Sequence, residues 1–534
     1  MKNFYFTLIA IFCNTLIFAQ LTFTKQPVGN QLFTRNLTTN SAVVKFIGTV
    51  PSSSGYTKLT LETYRNDVLY NSITQNMTYT GGIGNFNFQQ TIIAEKQNYS
   101  FRIIEQTGTT LYSVFNIVAG DSYIIQGQSN VAEGSGQPFT ATNQFIRSYS
   151  SVDKWKIANM YLGGIAYHFA DELTASQNIP IAIMNGAEGG QSIEYFQRND
   201  ANPTDATTNY GKLLNLYQAS ELGASRAIIW YQGENNSPYS TIAQYKTVFN
   251  SLYNAWKENY AFDKLYIFQI KGCVVTKNTE VFEALRQLPE EIPNSQIIST
   301  NGVDTSPADL CHYTIDGYKK FAHSLHNLAA YEIYNTGSLN GIVSPNVGAV
   351  KFTNSNKNQI EIKIVPSTSV LTWQAGVENQ FYFSDETVSV TSGSIIGDKI
   401  ILNLNKSFTS ANPWAAYLGY LIQSSVAQPY IPNQNGLGLL SFKYRPIATD
   451  ATLAVDNIKE STLEIYPNPA QEIISVKIPL NENLKSLSIY SMDGKKIMTE
   501  SYATHINIKA LPKSNYQIQV VTDKNKYSKK FIKN

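Results

Sequence analysis

Hydrophobic positions between residues 20 and 118 fall in short runs rich in β-forming residues, and such runs predict β-strands. Examples are Ser41–Ile47 and Tyr99–Ile104, and clusters of Gly, Ser, Asn and Pro separate such runs. No helical period occurs in this region. Many short strands divided by turn residues predict a β-sandwich of the immunoglobulin or fibronectin type III kind.

From residue 119 to residue 336 the pattern changes, and apolar runs alternate with amphipathic helical segments. The clearest helical stripe has hydrophobic residues every three or four positions: Ile242, Tyr245, Phe249, Leu252, Tyr253 and Trp256. The apolar runs predict five strands: Ser122–Gln126, Ile179–Met184, Arg226–Tyr231, Lys264–Gln269 and Gln296–Thr300. Strands that alternate with helices predict a parallel α/β sheet covered on both faces, whose ligands bind at the carboxyl ends of the strands.

The rest of the chain returns to strand-like patterns. Residues 337–447 contain runs such as Gln359–Val365 and Lys399–Leu404, which predict a second β-sandwich. Residues 448–461 form a predicted linker, and residues 462–534 a small C-terminal β-domain. A chain of 534 residues with 43% hydrophobic content is long enough for several such domains.

The first 19 residues predict a signal peptide. Lys2 precedes an apolar run that ends at Ala19, after which we expect cleavage. A membrane anchor is the alternative, but Asn14 and Thr15 interrupt the run and it is short for a bilayer span. No later segment has the pattern of a membrane-spanning segment. We therefore expect an exported protein.

Export would place the two cysteines that remain after cleavage, Cys273 and Cys311, in a compartment that permits oxidation. A disulfide between them would brace the loop at the neighbouring His312. Two unpaired small hydrophobic side chains are the alternative, and the residues alone do not decide between the two.

The net charge and the absence of cofactor-binding motifs exclude several classes of function. The formal net charge is +2 and charged residues make up 15% of the chain, which argues against a nucleic-acid partner. The sequence has no P-loop, no dinucleotide-binding glycine fingerprint and no His-Glu-x-x-His motif. We therefore predict a small neutral substrate, no cofactor and no metal.

A candidate nucleophile and base follow two of the strands. Ser129 lies in Gly127-Gln-Ser-Asn130, directly after the first strand, and a serine needs a histidine base oriented by an acid. Asp309 and His312 follow the fifth strand at a spacing that lets the carboxylate reach Nδ1 and leaves Nε2 for the serine. The other histidines lie in predicted helices or in the terminal module and are interpreted as structural or surface residues: His168, His323, His326 and His505. This leaves His312 as the candidate base.

Two more strand ends offer donors for an oxyanion. Gly189 and Gly190 let the backbone approach a substrate oxygen closely, and either N–H is a candidate. Gln232, within Trp230-Tyr-Gln-Gly-Glu234, supplies a side-chain amide of the type that oxyanion holes use. The Glu234 carboxylate either supports the site or competes with Asp309 as the partner of the histidine, and we favour Asp309.

These four motifs, in this order and at these strand ends, resemble the sialate O-acetylesterase family of SGNH hydrolases. The resemblance covers about residues 120–334. It implies a flavodoxin-like three-layer fold and a metal-free serine esterase that acts on acetylated sugars.

By the same resemblance, Ser129 is the nucleophile, His312 the base and Asp309 its orienting acid. The N–H groups of Ser129 and Gly189, with the Gln232 amide, would form the oxyanion hole. Asn130 and Glu234 are candidate supporting residues around it.

The C-terminal domain carries a second resemblance. Leu463-Glu-Ile-Tyr-Pro-Asn-Pro-Ala470 and the later Leu487-Ser-Ile-Tyr-Ser-Met-Asp-Gly-Lys495 are similar to the C-terminal sorting domain of type IX secretion cargo in Bacteroidetes. This resemblance implies a secreted or cell-surface protein with the type IX secretion machinery as a partner.

Taken together, the motifs predict a secreted carbohydrate esterase that removes O-acetyl groups through an acyl-enzyme. One alternative is an acetylxylan or other polysaccharide acetylesterase, because the same motifs serve those substrates. The other is a non-catalytic glycan-binding protein of the cell surface, suggested by the two flanking β-modules. An intact nucleophile, base and acid argue against that second alternative.

Overall fold

The computed structural model describes residues 21–136, 142–270, 280–307, 311–408, 416–421, 428–448, 463–478, 482–491, 496–501, 504–523 and 526–534. The chain divides into two compact units, Met1–Val347 with Asn354–Ile447, and Gly348–Thr353 with Ala448–Asn534. The predicted signal peptide and most of the predicted linker lie outside the described residues.

The N-terminal part of the first unit consists of β-strands in two facing sheets. The strands are β1 (Thr22–Lys25), β2 (Leu32–Thr34), β3 (Ser41–Pro51), β4 (Lys58–Arg65), β5 (Val68–Asn76), β6 (Tyr79–Thr80), β7 (Ile83–Ile93), β8 (Tyr99–Glu105) and β9 (Thr110–Gly127). One sheet has the order β1-β3-β7-β6, and in the other β5, β4, β8 and β9 are neighbours. Inward residues alternate along the strands, and Phe46 of one sheet contacts Phe101 of the other with ring centroids 5.1 Å apart.

Strand β9 is long enough to continue from this region into the central sheet of the unit. Its first part pairs with β8, and its last residues, from Asp121 to Gly127, pair in parallel with two later strands. The predicted boundary between residues 118 and 119 therefore falls inside one continuous strand. Asp121 is fully buried there and forms ion pairs with Arg35 and Arg226.

The central sheet contains the five strands predicted from the apolar runs and two more. The strands after β9 are β10 (Thr142–Ser150), β11 (Lys154–Asn159), β12 (Ile181–Asn185), β13 (Ser225–Tyr231), β14 (Phe262–Gln269) and β15 (Ser295–Ser299). The order is β11-β10-β12-β9-β13-β14-β15, with β11 antiparallel to β10 and the other pairs parallel. The chain order reverses at β9, which is where doubly wound sheets bind their ligands.

Five α-helices accompany this sheet in the described part of the chain. They are α1 (Gly164–Gln177), α2 (Asn209–Ser220), α3 (Ile242–Asn259), α4 (Glu280–Glu291) and α5 (Ile315–Glu332). Helix α1 packs against α5, and α3 against α4. The predicted stripe on α3 faces the core, because Tyr245, Phe249, Leu252 and Trp256 are buried, and a capping box of Thr241 and Gln244 begins the helix.

The second β-rich region follows α5. Its strands are β16 (Asn346–Phe352), β17 (Gln359–Val365), β18 (Phe381–Phe383), β19 (Val390–Ile396), β20 (Lys399–Leu404), β21 (Tyr417–Tyr420) and β22 (Phe442–Pro446). Strands β17, β20 and β19 are antiparallel neighbours, as are β18, β21 and β22. This region is bonded to the central sheet, because the Gln269 amide exchanges two hydrogen bonds of 2.8 Å with the backbone of Ser441.

The second unit contains the C-terminal β-domain. Its strands are β23 (Glu464–Tyr466), β24 (Ile473–Lys477), β25 (Leu484–Ser491), β26 (Lys496–Ser501), β27 (His505–Asn507), β28 (Ser514–Thr522) and β29 (Lys526–Lys533). They form the sheets β23-β24-β27 and β26-β25-β28-β29. A separate core fills this domain and includes Ile474, Leu487, Ile518 and Phe531. Throughout the described part of the chain, no helix is both long and apolar enough to cross a membrane.

Candidate active site

Ser129 lies two residues beyond the end of β9, on a turn that requires glycine. Gly127 has φ +142°, and a Cβ there would meet the carbonyl oxygen of Tyr231 on β13 at 2.0 Å. The turn is closed by the Val131 N–H, which donates to the Gln128 carbonyl over 3.0 Å. Ser129 is half-buried. The serine is thus held at the carboxyl end of the sheet, where the strand order reverses.

The segment after β12 brings Gly189 next to this serine. The Glu188 N–H donates to the Gly127 carbonyl over 2.9 Å, which ties the two strand ends together. A Cβ built on Gly189 would lie 3.8 Å from the Cβ of Ser129. Among the described residues, neither the Ser129 N–H nor the Gly189 N–H has a hydrogen-bond acceptor. Two unpaired backbone donors therefore lie on adjacent segments at the site.

Gln232, directly after β13, is fully buried and its amide is already engaged. Its Nε2 donates to Asn236 Oδ1 over 2.7 Å and to the Gln191 carbonyl over 3.2 Å. Its Oε1 accepts from the Tyr245 hydroxyl over 2.9 Å. The amide therefore holds the segment that carries the glycine pair, and its nitrogen already donates two hydrogen bonds.

Asn130 joins the serine turn to the loop before His312. Its Nδ2 donates to Glu234 Oε1 over 3.1 Å and to the Cys311 carbonyl over 3.3 Å. Its Oδ1 accepts from the hydroxyl of Tyr318 on α5 over 3.1 Å. Because Asn130 is fully buried, these bonds are sheltered from water.

The Glu234 carboxyl is buried, and burial raises its pKa to about 7. The hydrogen bond from Asn130 favours the ionised form and offsets part of this effect. Oε2, the other carboxyl oxygen, has no hydrogen-bond partner in the part of the chain that the structure describes. The Glu234 carboxyl, whose pKa lies near neutrality, is therefore hydrogen-bonded to Asn130, the residue that follows the candidate nucleophile.

His312 lies on the loop between β15 and α5. Its carbonyl accepts from the Ser306 N–H over 2.6 Å, and Thr305 and Tyr313 form an antiparallel bridge across the same loop. The side chain is half-buried. Asp309, the expected orienting acid, lies outside the described residues.

Cys311, beside the candidate base, is disulfide-bonded. Cys273, the partner considered from the sequence, lies outside the described residues. The bonded state of Cys311 agrees with export to an oxidising compartment.

Sequence reasoning did not identify Tyr318 and Asn236, which hold Asn130 and Gln232 in place. Tyr318 lies on the buried face of α5 and is almost fully buried. A buried tyrosine usually directs its hydroxyl to a polar partner, so the position of Tyr318 on the core-facing stripe of the helix could have indicated such a role. Asn236 follows the strand end within a polar run, where the sequence offers no comparable signal.

The fold and the site thus define an α/β domain with a serine and a histidine at the carboxyl ends of parallel strands. Residues 119–330 match the family model described as carbohydrate esterase, sialic acid-specific acetylesterase. Residues 464–534 match the secretion system C-terminal sorting domain. The matches confirm both resemblances: the chain carries a carbohydrate-esterase domain, and its sorting domain directs it by type IX secretion to the cell surface or the extracellular space.

A solved structure with a TM-score above 0.5 supports the fold described above. A carbohydrate acetylesterase from Xanthomonas citri is 16% identical, with a TM-score of 0.55 over 79% of this chain and 99% of that chain. A protein from Arabidopsis thaliana is 18% identical, with a TM-score of 0.33 over 40% of this chain and 98% of that chain. No curated protein matches this chain in sequence.

Proposed function

We propose that this protein is a secreted carbohydrate O-acetylesterase that works through an acyl-enzyme on Ser129. The observation that carries the proposal is the pair of unpaired N–H groups, from Ser129 and Gly189, beside a half-buried serine at the switch point of the sheet. Donors fixed in advance around a nucleophile stabilise the negative oxygen that forms when an ester carbonyl is attacked.

In the proposed reaction, Ser129 Oγ attacks the acetyl carbonyl while His312 takes the hydroxyl proton. The tetrahedral intermediate collapses when His312 returns this proton to the leaving sugar oxygen, and an acetyl-serine remains. His312 then takes a proton from water, the resulting hydroxide attacks the acetyl group, and acetate leaves as the proton returns to Ser129.

The acid that orients His312 is proposed to be Asp309, at the spacing noted in the sequence. We assign a supporting role to Glu234, because Asn130 contacts both its carboxyl and the carbonyl of Cys311, next to the histidine. The bridge would hold the base loop at a fixed distance from the serine turn.

The proposed oxyanion hole consists of the Ser129 and Gly189 N–H groups with the Gln232 amide as a third donor. Of the two bonds that Gln232 donates, the one to Gln191 is longer by half an ångström and is the one that an oxyanion would replace. Until then the amide holds the glycine segment in place.

The proposal includes a flavodoxin-like three-layer arrangement of the catalytic domain. It is supported by the reversal of strand order at β9 and by the packing of α1 on α5 and of α3 on α4. Sheet strands such as β13 are buried along their whole length, as a sheet covered on both faces requires.

O-acetylated sialic acid is the substrate that the family description favours, and acetylated xylan is the competing candidate. The test is hydrolysis of a chromogenic acetate ester by the exported form of the chain, with and without a metal chelator. We expect chelator-resistant activity that is lost in Ser129→Ala and His312→Ala and retained in the exposed-serine control Ser53→Ala. Release of acetate from O-acetylated sialic acid and from acetylxylan then decides the substrate. A folded parent protein without esterase activity would overturn the proposal.

A further inference from the structure

Helices α1 and α5 bring together three side chains with metal-binding atoms. Glu172 lies on α1, while His323 and His326 lie on α5 at a spacing of three, which places them on one face of the helix. One ligand atom from each residue lies within 4.8 Å of the others. Glu172 and His323 are 151 positions apart in sequence, so no local sequence motif predicts the cluster.

The distances within this cluster are close to those of a coordination shell. His323 Nδ1 lies 2.9 Å and His326 Nδ1 3.5 Å from Glu172 Oε2. Ligand bonds of about 2.0–2.1 Å in tetrahedral geometry place ligand atoms about 3.3–3.4 Å apart. The Glu172–His326 distance is already close to this spacing, and the Glu172–His323 distance needs to lengthen by about half an ångström. The ligand atoms of the two histidines lie within 4.8 Å of each other, so side-chain rotation must bring them to the same spacing.

The second nitrogen of His326 already has the partner that a metal-bound imidazole needs. His326 Nε2 lies 2.8 Å from the hydroxyl oxygen of Ser176, one helical turn after Glu172 on α1. His326 Nδ1 lies 3.2 Å from Asn327 Oδ1 and 3.5 Å from Glu172 Oε2. When Nε2–H donates to Ser176, Nδ1 carries a lone pair that an ion beside Glu172 can accept. A hydrogen bond of this kind fixes the tautomer and the ring orientation of metal-bound histidines.

The cluster is accessible from solvent, since the side chains are 63% exposed for His323, 33% for Glu172 and 15% for His326. Glu172 and His323 also line a cavity of about 420 Å³ that has room for water ligands. Lys319 and Lys320 line the same cavity, and Lys319 pairs with Asp316 over 3.4 Å. Their positive charge opposes a cation, so binding requires all three ligands together.

We propose that Glu172, His323 and His326 form a binding site for a divalent transition-metal ion, with zinc as the best-matched ion. Two imidazoles and one carboxylate suit zinc, with water completing the shell. The ion would tie α1 to α5, the helix that begins just after His312 and whose Tyr318 contacts Asn130. It takes no part in ester hydrolysis, and the site does not depend on the proposed function.

The test is calorimetric titration of zinc chloride into the full exported chain after treatment with a chelator. We expect one equivalent to bind, and the melting temperature to rise with zinc concentration because the ion binds the folded state. His323→Ala, His326→Ala and Glu172→Gln should each weaken binding by at least about a hundredfold, and Ser176→Ala by about tenfold. His505→Ala, in the other compact unit, is the matched control and should bind as the parent does.

Circular dichroism would establish that each variant is folded. Because the His323 side chain is exposed, His323→Ala is the variant least expected to disturb the fold. Absence of zinc binding to the parent would overturn the proposal. Binding that remains unchanged in both His323→Ala and Glu172→Gln would overturn it as well, because the ion would then lie elsewhere.

Discussion

Asn130 Nδ2 lies 3.1 Å from Glu234 Oε1 and donates to it, and the same nitrogen donates to the Cys311 carbonyl over 3.3 Å. One buried amide thus connects the residue after the candidate nucleophile to the residue before the candidate base. Asn130 is 104 positions from Glu234 and 181 positions from Cys311 in the sequence. The relative position of Ser129 and His312 therefore depends on a side chain that itself performs no chemistry in the proposed reaction.

Asn130→Ala should lower kcat by up to about a hundredfold with a much smaller change in KM, because the base loop loses its link to the serine turn. Steady-state hydrolysis of an acetate ester measures this. Tyr318→Phe is the matched control. It removes the hydroxyl that donates to the oxygen of the same Asn130 amide and leaves both Nδ2 bonds in place. Equal losses in the two variants would contradict a role for the Nδ2 bonds.

Glu234→Gln should change how stability depends on pH. Burial raises the pKa of Glu234 from 4.5 to about 7, so the folded state binds the proton more tightly than the unfolded state. The stability from this carboxyl is therefore fully present below about pH 4.5 and is lost as pH rises through 7. Relative to the parent, the variant should gain up to about 3 kcal/mol in free energy of unfolding between pH 4.5 and pH 8.

Denaturant unfolding at the two pH values measures this difference. Glu188→Gln is a suitable control because Glu188 is exposed. A Glu234→Gln variant whose stability relative to the parent is the same at both pH values would show that the carboxyl does not titrate in this range.

Gly189→Pro should lower kcat by about a hundredfold or more, because proline removes the backbone N–H that is proposed to hold the oxyanion. Gly189→Ala retains this N–H, and its Cβ would lie at an ordinary contact distance of 3.8 Å from Ser129 Cβ. The alanine variant should therefore retain most of the activity. If proline and alanine have equal effects on kcat, with both variants folded, the N–H is not a catalytic donor.

The sequence could predict the strands of the central sheet because their apolar runs are continuous, as in the fully buried Ser225–Tyr231. It did not predict β10 and β11, whose residues mix charged, polar and apolar side chains. Arg147 of β10 shows why: it is fully buried, and its Nε donates to the Asn30 carbonyl over 2.9 Å, far away in the chain. A buried arginine of this kind needs a hydrogen-bond partner from a distant segment, and the local sequence does not show that partner.

The same limit applies to the site. Ser129, Gly189 and His312 could be proposed as site residues from residue type and from their positions after strands, which local sequence specifies. The state of the Gln232 amide depends on Gln191 and Asn236, and the grouping of Glu172 with His323 depends on how α1 meets α5. These relationships arise from packing between distant segments and leave no periodic signal.

The most direct test of the proposed mechanism is to mix the enzyme with an acetate ester, quench within a turnover and map acetylated peptides by tandem mass spectrometry. An acyl-enzyme on Ser129 predicts acetyl on the peptide that contains this residue, its accumulation in a burst, and its absence from Ser129→Ala. Turnover by the parent without acetyl on that serine, or full turnover by Ser129→Ala, would contradict the mechanism.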